Sequence, residues 1–312
     1  MSKSRAYLLG AALISLVLTV VFGDLPGRGL FVGALQNSAH VPASGAIAAL
    51  LLVLCRHWPL SRKWTALTRY VAVVLVTTTI GAAIEVIQGA LHRDMSLEDV
   101  FHDFLGALIG AAVMHTCGWE PSSNRLRKTS LVLACVAVLI AAFPVAWSAA
   151  AYIHRDREFP FVLQFGSRLD RYFLYDCAAH SKFAKIEQMK SGSALVVELD
   201  PTCRKQIGVA EPYADWRGYS RLKLEITNTA NEPIPLTIRI EDIHHNQEYT
   251  DRFNQSFDLA GNEYKILTIP LDAVRNAPAG RQMDMQHIYW INLFTSLEHP
   301  TARVALHRMW LE

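Results

Sequence analysis

An abrupt change of character near Ile153 constrains this chain more than any other feature. Before it, Ala, Leu, Val and Ile gather into runs long enough to cross a bilayer, which takes about 20 mostly apolar residues each. After it, charges, Asn, Pro and short alternating runs take over, as in a water-soluble β domain. Hydrophobic residues make up 51% of the 312, and their uneven distribution predicts two parts. Residues 1–153 read as an α-helical membrane bundle of about five transmembrane helices, and residues 154–312 as an all-β sandwich.

The five expected spans are Ala6 to Gly23, Val41 to Trp58, Ala66 to Leu91, Ser96 to Cys117 and Ser130 to Ile153. Pro42 and Ser44 interrupt the second early, and His40 lies just before it. Lys3 and Arg5 precede the first span as in a secretory signal, but no small-x-small cleavage site follows it, and it reads as a retained helix. Basic residues in short loops accumulate on the cytoplasmic side. Lys3 and Arg5, then Arg56, Arg62, Lys63 and Arg69, then Arg125, Arg127 and Lys128 all fall on one side. The expected topology has the N-terminus in the cytoplasm and the chain after Ile153 exported, in a bacterium to the periplasm or outer surface.

The third and fourth spans carry acids that packing alone does not call for. A central Asp in a membrane helix costs roughly 2.5–3.5 kcal/mol, so such a group needs a partner, a wet cleft or the interface. Glu85 and Gln88 share one face of the third span, and Asp99, His102, Asp103, Gly106 and Gly110 form a stripe on the fourth. Arg93 lies in the turn between them, and His40 reaches the same outer face. Glu85 and Asp103 are candidates for acid–base chemistry on an envelope phosphate or glycan, with His40, Gln88, Arg93, Asp99 and His102 as substrate-binding candidates. Plainer readings stand beside these. Asp99 fits a helix N-terminal box after Ser96, Arg93 an interfacial anchor, and Gly106 and Gly110 close helix packing. His40, Glu85, Asp99, His102 and Asp103 are plausible metal-ligand types, but no compact motif such as H-E-x-x-H is present, and neither metal nor cofactor is assigned.

His40, the Glu85-x-x-Gln88 pair, Arg93, Asp99, Asp103, Gly106 and Gly110 resemble the core pattern of the VanZ-like family of bacterial membrane proteins. The chain differs where the family usually has Asn, at Asp103, and where it has Asp-Lys, at Gln36 and Asn37. The resemblance implies a cell-envelope protein; the founding member is associated with glycopeptide (teicoplanin) resistance. It implies no reaction.

In the second half, Leu222, Leu224 and Ile226 oppose Lys223, Glu225 and Thr227, and Leu236, Ile238 and Ile240 oppose Thr237, Arg239 and Glu241. Further runs lie at Ala194 to Leu199, Tyr264 to Leu271, Ile288 to Phe294 and Arg303 to Leu311, and about eight to ten strands are expected. Trp216-Arg217-Gly218-Tyr219, Asp251-Arg252-Phe253-Asn254, Ile269-Pro270-Leu271 and the closing strand resemble the galactose-binding-type jelly roll of carbohydrate-binding modules. Trp216, Tyr219, Asp251 and Arg252 are the carbohydrate-binding candidates, although buried aromatics and a solvated loop explain them as well. Cys177 and Cys203 are the two cysteines of the exported part and a disulfide candidate, with two unpaired thiols as the alternative. The net charge of +2 gives no argument for nucleic acid, and no nucleic-acid partner is expected. The partners expected are the lipid bilayer and an envelope glycan or lipid-linked saccharide, with a structural or sensory module binding a protein as a further alternative.

Overall fold

A computed structural model describes residues 3–22, 27, 29–90, 95–175, 184–189, 192–199, 206–296 and 302–312. Arg93, Cys177 and Cys203 lie outside the described residues. The chain divides into two compact units, Met1–Ser148 and Ala149–Glu312.

The first unit is helical. Its elements are α1 (Lys3–Phe22), α2 (Leu30–His57), α3 (Ala66–Ala90), α4 (Leu97–Thr116) and α5 (Asn124–Glu158), the last running on into the second unit. Among the described residues three of them, α2, α3 and α5, are long and apolar enough to cross a membrane, where five spans were expected. Within the described side chains of α1 the apolar stretch is Leu8–Val17, and α4 opens with Glu98, Asp99, His102 and Asp103, which dilute its hydropathy. A second correction concerns His40. Pro42 does not start α2 but lies inside it, as membrane helices tolerate where neighbouring groups satisfy the freed backbone. His40 is therefore an interior residue of α2, not a residue ahead of it.

Glycines set how closely these helices approach. A Cβ on Gly106 would lie 2.3 Å from the Val41 carbonyl oxygen, and one on Gly110 would lie 2.3 Å from that of Gly45. Both distances are impossible for a real side chain, so α4 packs on α2 backbone to backbone, as small-xxx-small patterns allow. Ala48, Leu52, Val73, Ala107 and Ala111 fill the space among α2, α3 and α4. Leu105 packs with Ala137 and Ala141 of α5.

The second unit is a β-sandwich of two antiparallel sheets with eleven strands among the described residues, β1 (Phe161–Leu163), β2 (Leu174–Tyr175), β3 (Ala184–Met189), β4 (Gly192–Leu199), β5 (Gln206–Ala210), β6 (Arg221–Asn228), β7 (Ile234–Asp242), β8 (Phe253–Leu259), β9 (Tyr264–Pro270), β10 (Ile288–Phe294) and β11 (Ala302–Leu311), with a short helix α6 (Leu271–Arg275) after β9. One sheet runs β3-β4-β11-β6-β9 with β1 also on β11; the other runs β2-β5-β10-β7-β8. Alternation decides which side chains enter the core. Leu222, Leu224 and Ile226 of β6 face Leu236, Ile238 and Ile240 of β7 in type and burial, all at 0–1% exposure, as period-2 patterning demands. A bulge in β11 between Leu306 and Arg308 shifts its inward residues to Met309 and Leu311, both buried.

Candidate functional sites

The helical unit gathers its polar residues on inward faces. Glu85 and Asp103 are each 2% exposed while Val86, next in sequence to Glu85, is 63% exposed. Gln88 and His102 are buried as well. The route by which these groups meet starts at the glycine contacts. Because Gly106 and Gly110 bring α2 against α4, His40 Nδ1 comes to 3.3 Å from Asp103 Oδ1, and Ser44 Oγ donates to the same oxygen. Gly81 leaves the room on α3 that the Asp103 carboxylate occupies.

A substitution at the start of α4 fixes the rest of the cluster. Ser96 caps the helix, its hydroxyl accepting from the Asp99 amide at 3.2 Å. In a capping box the third residue's carboxylate would return the favour to the Ser96 amide. Here Glu85 of α3 takes that amide instead, at 2.9 Å from Oε2. The Asp99 carboxylate is thereby released from capping, and His40, Glu85 and Asp99 each place one nitrogen or oxygen within 4.8 Å of the others. Glu85 Oε1, Asp99 Oδ1, His102 Nδ1 and Asp103 Oδ2 are buried without a hydrogen-bond partner. His40 is thus the common neighbour of Glu85, Asp99 and Asp103.

The sandwich presents a second polar surface, on the outward face of the sheet β2-β5-β10-β7-β8. Register places Tyr175 beside Gly208, Gly208 beside Asn292, Asn292 beside Arg239 and Arg239 beside Asn254, one continuous row across all five strands. Trp290 flanks the row on β10, and Tyr175 meets its ring edge-on at 4.8 Å between centroids. Gly208 lies beneath the indole, where a Cβ would approach it to 3.1 Å. Asn292 donates to Gln206 Oε1 at 2.9 Å and Arg239 donates to Glu241. The carbonyl oxygens of Asn292 and Asn254 are buried and unpartnered. Partly exposed aromatic rings beside fixed amide, guanidinium and carboxylate groups form a surface on which a polyhydroxylated ring can stack and hydrogen-bond.

The sandwich residues singled out from the sequence take other places. Trp216 is fully buried, its indole N–H donating to the Tyr213 carbonyl at 2.8 Å, so it offers no ring face to a sugar. Tyr219 packs edge-on against Phe159 at 5.3 Å. Asp251 is tied on both oxygens to Arg281, at 2.5 and 3.0 Å, and Arg281 also clamps Asp242 at 2.5 and 2.9 Å. Hydrogen bonding from Arg281 holds the Asp251 carboxyl down to about 2. This triad staples the β7–β8 loop to the segment before β10. Arg252 lies over the Tyr249 ring at 4.9 Å and approaches Glu241 at 4.0 Å. Tyr175, Trp290, Asn292 and Arg239 were not singled out, although the pattern Ile288-Tyr-Trp-Ile-Asn-Leu-Phe294 already sets Trp290 and Asn292 opposite the apolar Ile291 and Leu293.

The chain matches no protein-family model and no curated protein. Among solved structures it is similar to the family 11 carbohydrate-binding module from Clostridium thermocellum in complex with a β-1,3-1,4-mixed-linked tetrasaccharide, at 14% identity over 48% of this chain and 93% of that one, with a TM-score of 0.36. It is also similar to the non-crystalline cellulose specific carbohydrate-binding module CBM28, at 10% identity over 49% and 93% of the two chains, TM-score 0.36. An exo-β-agarase shares 13% identity over 49% of this chain but 24% of its own length, TM-score 0.39. These likenesses are remote.

Proposed function

We propose that this is a bacterial cell-envelope membrane protein whose β-sandwich binds a glycan on the outward face of the sheet β2-β5-β10-β7-β8. The observation that carries the reading is the row from Tyr175 to Asn254, flanked by Trp290, in which partly exposed aromatic rings adjoin amide and guanidinium groups on one face. The VanZ-like pattern of the helical half supports a cell-wall or lipid-linked saccharide as the ligand class, and with it a link to glycopeptide resistance. The membrane topology in this reading is odd-numbered whether three or five helices cross, so the N-terminus and the residues after α5 lie on opposite sides of the bilayer. With five crossings all three basic groups fall on one side, and on that ground this reading takes the sandwich to lie outside. Full-length protein in detergent, presented with an array of peptidoglycan fragments and lipid-linked saccharides, should bind one class and lose it on Trp290→Ala and Asn292→Ala. Binding unchanged by both, or reporter fusions after Glu158 that work only in the cytoplasm, would rule the reading out.

A second reading gives the helical cluster acid–base chemistry through Glu85 and Asp103, since both carboxylates adjoin His40 and both keep an unpartnered oxygen. Cells carrying Glu85→Gln or Asp103→Asn, with protein levels unchanged, should then behave like cells lacking the protein.

A further inference from the structure

We infer that His40, Glu85 and Asp99 form a binding site for a divalent transition metal of the zinc class. Each of the three comes from a different helix, and their ligand atoms lie within 4.8 Å of one another. The centre of an equilateral triangle of that side is about 2.8 Å from each corner, and zinc bonds to nitrogen and carboxylate oxygen run to roughly 2.0–2.2 Å. Side-chain adjustments of about 0.6–0.8 Å per ligand close the difference.

The hydrogen bonds around the cluster point the same way. The Ser96 amide holds Glu85 by Oε2 and leaves Oε1 buried and unpartnered. Asp99, released from its capping role, keeps a buried unpartnered Oδ1. Asp103 faces His40 Nδ1, so with the Nδ1 proton directed to that carboxylate the Nε2 lone pair is the one left for a cation. This is the carboxylate–histidine–metal arrangement by which outer-shell acids fix the tautomer of a ligand. Ser44, donating to Asp103, secures the outer shell in turn.

Charge supplies the driving force. Among the described residues, no Lys or Arg pairs with Glu85, Asp99 or Asp103, and the His40 imidazole is the basic side chain that lies against one of them. Three carboxylates, two of them buried and the third half-buried, repel one another and are withdrawn from solvent, and a bound dication offsets both penalties. One imidazole and two carboxylates match zinc or manganese better than calcium, which takes six to eight oxygens. Three protein ligands leave one position open for water or for an oxygen of a ligand. The inference does not rest on glycan binding by the sandwich.

The test uses the full-length protein in detergent, stripped with chelator and re-equilibrated with zinc at micromolar concentration. Elemental analysis should find one zinc per chain, and His40→Ala, Glu85→Gln and Asp99→Asn should each weaken binding by roughly 100-fold or more, with Asp103→Asn weakening it by about tenfold. His57→Ala, at the far end of α2, should bind as the parent does. Cobalt loading of the unmutated protein provides a readout that survives any misfolding of the variants. It should give ligand-field bands without thiolate charge transfer, which separates this site from Cys55, Cys117 and Cys135. Absence of bound metal in the unmutated protein, a thiolate band, or occupancy indifferent to all three ligand substitutions would overturn the assignment.

Discussion

A Cβ placed on Gly81 would lie 2.1 Å from Oδ2 of Asp103 and 2.9 Å from its Cβ, so α3 can carry no side chain where α4 presents its buried acid. Gly81→Ala must therefore displace Asp103. The side chain can swing away more easily than a helix can move, and the expected stability loss is about 1 kcal/mol, near the low end for overpacking. The larger effect should be chemical, because a displaced Asp103 no longer faces His40. Gly33→Ala, also on a helix but with nothing within 4 Å of the new methyl, should be neutral or slightly stabilising. Midpoints of unfolding in mixed micelles, with zinc binding measured alongside, separate the two outcomes.

Gly110→Ala should behave differently. Its methyl would meet the Gly45 carbonyl oxygen at 2.3 Å and the Gly45 Cα at 2.9 Å, and backbone cannot rotate aside. The α2–α4 contact has to widen, withdrawing His40 and Ser44 from Asp103, at a cost of about 3 kcal/mol. Unfolding midpoints of Gly110→Ala and Gly81→Ala that do not differ would contradict this contrast between backbone and side-chain relief.

In the sandwich, Trp290 and Trp216 should exchange consequences. Trp290 stands on the outward face, and Trp290→Ala should abolish glycan binding with little change in stability. Trp216 is fully buried, and Trp216→Ala should cost roughly 3–5 kcal/mol through the cavity it leaves, reaching binding only through misfolding. Saccharide titration at a temperature where both variants stay folded distinguishes them.

The contrast between these two tryptophans also marks how far the sequence could be read. Strands with clean alternation, such as Leu222 to Thr227 and Leu236 to Glu241, announced both their existence and their inward faces, because burial on one side imposes period 2. Trp216 gave no such sign. It lies in an irregular segment ahead of β6, where an aromatic looks alike whether it fills the core or meets a ligand. β2, with two residues, is too short to carry a pattern, so Tyr175 was invisible as a neighbour of Trp290. In the helical half the acids of α3 and α4 were legible as residues out of place in apolar runs. Their partner geometry was not. The sequence motif Ser96-x-x-Asp99 suggests a self-contained cap, and only the fold reveals that Glu85 completes it from another helix. Pro42 read as an interruption of the second span, since a free helix pays about 3 kcal/mol for an internal proline, whereas the packed bundle carries α2 through it.

The loop staple makes a prediction about acid. Asp251 is bound by Arg281, which lowers its carboxyl from the ordinary 3.8 to about 2, and its side chain is only 8% exposed. A carboxyl depressed in the folded state contributes stability that is fully present above its unfolded value and is lost as pH falls through the folded one. The window is therefore pH 4 down to 2, and the contribution is at most about 2 kcal/mol. The Asn246 amide donates to Asp251 Oδ2 at 3.0 Å, so its hydrogen-exchange protection reports the staple directly. Protection, corrected for the intrinsic rate, should hold from pH 7 to 4 and fall steeply below. Asp251→Asn cannot titrate there and should show weaker protection at pH 7 with the steep decline removed; a decline that persists in that variant would place the acid-sensitive group elsewhere.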